Sequence, residues 1–203
     1  MWFHSWYNFS VESKKGLFSE GWRKAVEGLM DYNTLKLNDL RILKYPASIL
    51  SQVAEPVREI TPWIGDLAAR MIELATEVSG VGLACPQVGL GLRMFITCLP
   101  EEKEEPKVFI NPCLSDFEGF SEMEEGCLSL PGIQVMLSRP ESCVIEAWGL
   151  KGEKFVIQAA DLLAKIVQHE NDHLDGKLII DRIGTVARIA QRKAIKQLER
   201  EYG

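Results

Sequence analysis

Two of the chain's three histidines, His169 and His173, lie four residues apart in the stretch "QHENDHLDG" (168–176). On an α-helix this spacing brings both imidazoles to one face, one turn apart, with Glu170 beside them. Two histidines and a glutamate would then be buried together, and polar side chains are costly to bury without partners. The spacing therefore predicts a metal site on a buried helix.

The helix that carries these residues is predicted to cover about residues 160–175. Three apolar residues lead directly onto the histidines, so the polar trio continues the buried face of the helix. They are Leu162, Leu163 and Ile166. Gly176 is the predicted C-cap. Without a metal, the histidines would be a hydrogen-bonded pair in the core.

Helical patterns also occur before and after this segment, with strand patterns between them. Residues 61–80 are predicted to be a helix, with Thr61 as the N-cap, Pro62 at its first position and Gly80 past its end. Four segments have strand character, and "GLKGE" between the last two is typical of a hairpin. They are residues 92–98, 107–111, 142–148 and 154–159. The pattern predicts an α+β fold in which small antiparallel sheets surround a central metal-binding helix.

The last helix, residues 185–202, is predicted to be amphipathic. Its inward face is expected to consist of Val186, Ile189, Ala190, Ile195 and Leu198. It also carries a basic cluster of Arg188, Arg192, Lys193, Lys196 and Arg200. In a chain with a net charge of −6 such a cluster could steer the protein to the ribosome. A solvated helix face is an equally good interpretation.

Composition excludes several classes of protein. The acidic balance argues against broad nucleic-acid binding, DNA included. The apolar runs are too short for a membrane span, and the chain has no secretory signal peptide. The five cysteines are odd in number and form no Cys-x-x-Cys pair. They do not make a disulfide framework, so we expect a cytoplasmic protein.

Residues 1–38 differ in character from the rest of the chain. They are predicted to be an N-terminal extension, followed by a catalytic domain at 39–203. The start, "MWFHSWYNFS", is dense in aromatic side chains. A small docking element is one interpretation, and translated upstream sequence with Met30 as the true start is the other.

A catalytic metal usually takes three protein ligands, so one ligand is still to be found. Zinc proteases with this histidine spacing take it downstream, but no histidine follows His173, and only Glu199 on the last helix remains. Upstream, "EEGCLSLPG" (124–132) places Cys127 in a segment flanked by glycines. A thiolate with two imidazoles suits zinc or ferrous iron. Alone, this stretch could be an ordinary turn with a buried cysteine, but an incomplete metal site favours a ligand.

A Gly-rich loop, "GVGLACPQVGL" (80–90), follows the first predicted helix. A phosphate-binding loop would need the glycines to open a helix after a strand, followed by Lys-Ser/Thr, and neither feature is present. Gln87 is instead a candidate neutral amide donor. The glycines would let a substrate backbone lie close.

Three motifs in this order, G-V-G-L-A-C-P-Q, E-G-C-L-S and Q-H-E-N-D-H, resemble those of the peptide deformylases. The resemblance spans about residues 41–200. It implies removal of the formyl group from N-formylmethionyl nascent peptides, with release of formate. It also implies one divalent metal per chain, usually Fe²⁺, with Zn²⁺, Ni²⁺ or Co²⁺ as substitutes.

Residue by residue, the resemblance implies that the metal is held by Cys127, His169 and His173. Glu170 would be the general base and acid, while Gln87 and the backbone N–H of Leu128 would face the oxyanion. Gly82 would pair with the substrate backbone, and Arg139 aligns with an arginine that touches the peptide in some members. A divalent metal lowers the pKa of a bound water from 15.7 towards about 7, which permits attack on the formyl carbon at neutral pH.

Three residues depart from the family's pattern. Cys85 stands where alanine is usual, Asn171 replaces a commonly apolar residue, and Asp161 falls where glycine is usual. We expect local repacking at these positions. The alternatives to a deformylase are a metalloprotease with Glu199 as third ligand and an inactive relative that binds nascent chains or the ribosome. A non-enzyme has no reason to retain Glu170, which is not a predicted ligand.

Overall fold

The computed structural model describes residues 36–99 and 105–203, which form helices and two antiparallel sheets. The α-helices are α1 (Pro62–Glu77), α2 (Asp161–Leu174), α3 (Ile179–Arg182) and α4 (Thr185–Tyr202). The strands are β1 (Gly82–Ala84), β2 (Met94–Thr97), β3 (Lys107–Glu118), β4 (Ser121–Gly126), β5 (Gln134–Arg139), β6 (Ser142–Trp148) and β7 (Lys154–Ala160). Short 3-10 turns lie at Leu37–Asp39, Ser48–Ser51 and Cys85–Val88. This mixture confirms the predicted α+β class.

The larger sheet has five strands in the order β1-β2-β3-β6-β7, and each neighbouring pair is antiparallel. The predicted hairpin at "GLKGE" is present, with Trp148 opposite Lys154 at the end nearest the turn. The smaller sheet is the hairpin of β4 and β5, which the sequence patterns did not predict. Strand β1 forms one edge of the larger sheet, and with the Cys85–Val88 turn it makes up most of the predicted Gly-rich loop.

Helix α2 packs against β1, β2, β6 and β7 and is buried over most of its circumference. It begins at Asp161, whose φ of 50° lies in the left-handed region that favours glycine but that aspartate tolerates. It ends at Leu174 with Asp175 as the C-cap, one residue before the predicted Gly176. Gly176 follows with a φ of 67°, the left-handed conformation common just past a helix end. One predicted core residue of this helix, Leu162, is 46% exposed.

Two clusters of buried hydrophobic residues involve helix α2 and the β4–β5 hairpin. One lies between the larger sheet and α2, and includes Phe95, Phe109 and Val167. The other joins the β4–β5 hairpin to α3 and α4, and its members include Cys127. The metal-site residues therefore lie where the two clusters meet.

The predicted inward face of the last helix is wrong for its first half. Ile195 and Leu198 are buried, but Val186 and Ile189 are 83% and 65% exposed, and Ala190 is exposed as well. Only the second half of α4 packs on the hairpin cluster, so the apolar residues of the first half have no described surface to bury against.

The first helix follows its prediction closely. Its buried residues are Ile64, Leu67, Ala68, Met71, Leu74 and Ala75. Of the predicted N-terminal extension, residues 1–35, including Met30, lie outside the described residues. Within the described ranges, no helix combines the length and the apolar character needed to cross a bilayer.

Candidate metal centre

Three predicted ligands come together in the structure. Ligand atoms of Cys127, His169 and His173 all lie within 4.8 Å of one another. The Cys127 Sγ is 3.2 Å from the His173 Nε2, and the two imidazole rings meet edge to face with centroids 5.1 Å apart. Sulfur and two ring nitrogens at this separation can surround a single ion.

The local fold explains why these atoms meet. Cys127 follows the last residue of β4, and its carbonyl accepts a hydrogen bond from the Leu130 N–H at 2.9 Å, so a tight turn begins at the ligand. His169 and His173 lie one turn apart on α2. The hairpin and the helix thus supply the ligands from two independent elements.

The donor set fits a divalent metal, and two buried atoms beside it have no partner in the described residues. Within the described residues, His173 Nδ1 and Glu170 Oε2 are buried without a hydrogen-bond partner. Burial lowers the pKa of His173 well below its usual range, and the positive charges of His169 and Arg139 lower it further. A neutral imidazole is the form that binds metal, and a thiolate with two imidazoles suits zinc or ferrous iron.

A buried carboxylate orients the other histidine. Glu125 Oε2 lies 3.1 Å from His169 Nδ1, which leaves Nε2 of this ring free to face the ion. Arg139 donates to both oxygens of Glu125, at 2.5 and 2.9 Å, and also to Asp172 Oδ2 at 2.9 Å. Burial alone would raise the pKa of Glu125, but hydrogen bonds from His169 and Arg139 lower it to about 2.

Glu170 lies against Gly82 with only 4% of its surface exposed. A Cβ atom at Gly82 would collide with the Glu170 carboxylate, so the absence of a side chain there creates the space for it. Burial raises the pKa of Glu170 to about 7, against the opposing charges of His169 and Arg139. A carboxyl group that titrates near neutrality can both accept and release a proton.

Gln87 is held in one orientation in the Cys85–Val88 turn. Its Oε1 accepts a hydrogen bond from the Ala84 N–H at 2.8 Å. Its Nε2 therefore points towards the centre, 3.7 Å from Cys127 Sγ and 3.3 Å from Ser129 Oγ. The carbonyl of Leu128, the residue after Cys127, accepts from Lys44 Nζ at 2.7 Å.

A cavity of about 360 Å³ opens beside these groups. Its polar lining includes Gly82, Gln87, Cys127, His169 and Glu170. Its apolar lining includes Met123, Leu128, Leu162 and Ile166, which explains why Leu162 is half-exposed at the start of α2. The arrangement can hold a polar reacting group against the centre and an apolar side chain beside it.

The structure places the other predicted site residues apart from this cavity. Arg139 is buried against Glu125 and Asp172 and lines a separate cavity of about 380 Å³, so its contact with a peptide stays a prediction. Glu199 is exposed, accepts a hydrogen bond from Tyr45 at 3.2 Å and is not part of the ligand cluster, so nothing favours the metalloprotease alternative. Cys85 is buried with its sulfur 3.6 Å from the Met71 sulfur, and burial raises its pKa.

Two buried polar residues beside the centre were not recognised in the sequence. Glu125 lies on β4, two residues before Cys127, and it is the only residue of this strand that is buried, so no alternation in the sequence identified it. Lys165 lies one turn before His169 on α2, among the apolar residues that lead onto the histidines. Both are almost fully buried.

Comparison with known proteins gives consistent matches. The family model described as polypeptide deformylase matches residues 39–188. Relatives named peptide deformylase include one from Neisseria gonorrhoeae, 44% identical over 71% of this chain and 86% of its own length. Another, from Acinetobacter baumannii, is 41% identical over 80% of this chain and 93% of its own length.

Solved structures with a similar fold carry the same name. A peptide deformylase from Legionella pneumophila has a TM-score of 0.74 and 34% identity, covering 79% of this chain and 96% of its own. Peptide deformylase 1B from Arabidopsis thaliana, in complex with an inhibitor, has a TM-score of 0.76 and 32% identity, covering 80% of this chain and 92% of its own.

Proposed function

This chain belongs to the polypeptide deformylase family, and we propose that it removes the N-formyl group from the terminal formylmethionine of newly made polypeptides in a metal-dependent reaction that releases formate. The observation that carries the proposal is the position of Glu170. This buried carboxyl group lies beside a Cys-His-His cluster and lines the same cavity. A carboxyl group placed in this way can move a proton to or from a substrate that the cavity holds.

Cys127, His169 and His173 would hold one divalent metal, which we propose is Fe²⁺ natively, with Zn²⁺, Ni²⁺ or Co²⁺ as substitutes. When bound, such a metal supplies a Lewis acid that makes water reactive near neutral pH. Glu125 supports this role by fixing the ring orientation of His169 through Nδ1.

The proton transfers fall to Glu170. Its carboxylate accepts a proton from the attacking water and returns it to the amine nitrogen as the formamide C–N bond breaks. Gln87 Nε2 and the backbone N–H of Leu128 donate to the oxyanion that develops on the formyl oxygen. Each such donor contributes about 3–4 kcal/mol in comparable sites, and the Gln87 amide is already oriented by the bond that it accepts from the Ala84 N–H.

A peptide substrate can contact the edge of strand β1 and the apolar wall of the cavity. Gly82 lies in β1 at the edge of the larger sheet, where an extended peptide can add as a further strand. The methionine side chain would then enter the cavity against Met123, Leu162 and Ile166. Burial of this side chain selects for methionine without requiring a charged contact.

The proposed substrate indicates where in the cell the reaction takes place. Nascent chains emerge at the ribosome, and the exposed basic residues of α4 offer a surface that could associate with it. They include Arg192, Lys193, Lys196 and Arg200. A cytoplasmic location agrees with this substrate and with the absence of a disulfide framework, and it stays a prediction.

The test compares the parent protein with its Glu170→Ala variant, both purified without oxygen. Metal content is measured together with formate release from a formyl-Met-Ala-Ser peptide. We expect about one metal per chain in both proteins, but formate only from the parent, because Glu170 moves protons and is not a ligand. Glu122→Ala, an exposed change on β4, is the matched control and should retain both properties.

Two outcomes would contradict the proposal. If the parent binds metal but releases no formate, the activity is not deformylation, and release of free amino acids would point to peptide-bond cleavage instead. If Glu170→Ala loses the metal, Glu170 belongs to the ligand set.

A further inference from the structure

A lysine lies in the wall of the catalytic cavity among apolar side chains. Lys165 is only 4% exposed and lines the cavity together with Met123, Leu162 and Ile166. It occupies the same face of α2 as His169, one turn earlier. An apolar pocket that only has to bury a thioether needs no cation at this position.

The ammonium group is held by the open end of the β4–β5 hairpin. Lys165 Nζ donates to the carbonyl of Ser121 at 3.1 Å and to the carbonyl of Arg139 at 2.8 Å. Ser121 and Arg139 face each other at the ends of the two strands. Both acceptors are backbone carbonyls and therefore neutral.

The two carbonyls account for two of the three donors of the ammonium. A buried cation with neutral partners gains from each additional acceptor, since burial has removed the water that would otherwise solvate it. A substrate side chain that brings an oxygen into the cavity can supply that acceptor.

We propose that Lys165 is a specificity-determining residue that lets the cavity accept peptides beginning with N-formylmethionine sulfoxide. This inference rests on the proposed deformylation, and the reaction itself is unchanged: water still cleaves the formamide to formate and a free amine. The sulfoxide has the shape of methionine with one added oxygen, which is a strong hydrogen-bond acceptor. An entirely apolar pocket would have to desolvate this oxygen without a partner, whereas the Lys165 ammonium donates to it.

The experiment measures kcat/KM for three peptides that differ only in the first side chain: formyl-Met-Ala-Ser, its methionine sulfoxide form and its norleucine form. In the parent protein we expect the sulfoxide peptide to react within about tenfold of the methionine peptide. In a pocket without a hydrogen-bond donor, kcat/KM for the sulfoxide peptide should be lower by a further factor of about 10 to 100. This factor is the usual cost of a buried unpaired polar group.

The Lys165→Met variant removes the ammonium while keeping an unbranched side chain. We expect the ratio of sulfoxide to methionine kcat/KM to fall by about 10- to 100-fold, while the ratio of norleucine to methionine does not fall. Lys151→Met, an exposed change in the β6–β7 turn, is the control and should leave both ratios unchanged. A purely structural lysine would instead lower all three activities by the same factor.

Several results would overturn the inference. If the parent already rejects the sulfoxide peptide by more than about 100-fold, Lys165 does not serve this substrate, and this result needs no variant. If Lys165→Met folds and binds metal but keeps its sulfoxide ratio, the lysine only anchors the hairpin. If the parent fails on the methionine peptide itself, the proposed function fails first.

Discussion

At the scale of single residues, the contact between Gly82 and Glu170 gives a direct test of the site geometry. The Glu170 carboxylate occupies the space that a side chain at position 82 would need. In Gly82→Ala we therefore expect the carboxylate to shift while the metal ligands stay in place. A displacement of about 1 Å in a catalytic group can cost about 100-fold, so kcat should fall by roughly 10- to 100-fold with normal metal content.

Gly91→Ala is the matched control for this prediction. A Cβ atom at Gly91 meets nothing within 4 Å, so this variant should keep parental kcat. The measurement is steady-state kinetics on formyl-Met-Ala-Ser alongside metal analysis. Parental kcat in Gly82→Ala would show that Glu170 tolerates displacement and that its contact with Gly82 is unimportant.

The proposed metal ligands could be predicted because the spacing of residues along the sequence is enough to identify them. His169 and His173 are related by one helical turn, and Cys127 stands in a segment flanked by glycines, so both features are visible in a single sequence. The partners of these residues are not local. Glu125 and Lys165 owe their burial to contacts between the hairpin and α2, which no spacing within either segment reveals.

At the scale of elements, Arg139 joins the β4–β5 hairpin to the metal-binding helix. Its guanidinium lies between Glu125 on β4 and Asp172 on α2, and all three side chains are buried. Arg182 also contacts Asp172, from the other side and with a more exposed side chain. Without Arg139, the buried carboxylates of Glu125 and Asp172 would each lose a positively charged partner.

We therefore expect Arg139→Met to lower the free energy of unfolding by about 3–5 kcal/mol, the usual cost of breaking a buried ion pair. Urea denaturation monitored by circular dichroism measures the change. Arg58→Met removes an exposed arginine and should change stability far less. If the two variants are equally stable, the Arg139 network does not hold the hairpin to the helix.

Elements in which apolar residues recur at a regular spacing could be predicted from the sequence. Elements whose buried residues are polar could not. Helix α1 shows a regular stripe of buried residues, and the β6–β7 hairpin is marked by its glycines. Strand β4, "SEMEEG", buries only Glu125, so its sequence has no apolar alternation to recognise. Helix α4 has an apolar stripe along its full length but buries only the second half, because the hairpin cluster extends no further.

At the scale of the whole molecule, the segment 41–45 connects the two halves of the catalytic site. The Leu43 N–H donates to the Gln87 carbonyl at 2.7 Å, and the Tyr45 N–H donates to the Ser129 carbonyl at 2.9 Å. Lys44 Nζ donates to the Leu128 carbonyl. This segment therefore bonds to the backbone of both stretches that carry the proposed oxyanion donors, the Cys85–Val88 turn and the residues after Cys127.

These contacts indicate where the catalytic unit begins. The two core clusters and all the proposed site residues lie within Leu37–Gly203, and the Leu37–Asp39 turn packs against α1. We expect a variant that begins at Leu37, after an initiator methionine, to keep its melting temperature within about 2 °C of the full chain, since a ΔΔG below about 0.5 kcal/mol shifts the melting temperature of a domain of this size by no more than that. Its kcat/KM should stay within about twofold, because all the proposed site residues are retained. Differential scanning calorimetry and formate release provide the two measurements.

A second variant that begins at Ala47 supplies the contrast. It lacks the three hydrogen bonds of segment 41–45, so Gln87 and the Leu128 peptide lose their support although neither residue is changed. We expect kcat to fall by at least about tenfold, in line with the value of one oxyanion donor, while the three metal ligands remain in the chain. If the longer variant also loses activity while retaining metal, residues 1–36 take part in catalysis or substrate binding, and the boundary near residue 39 is wrong.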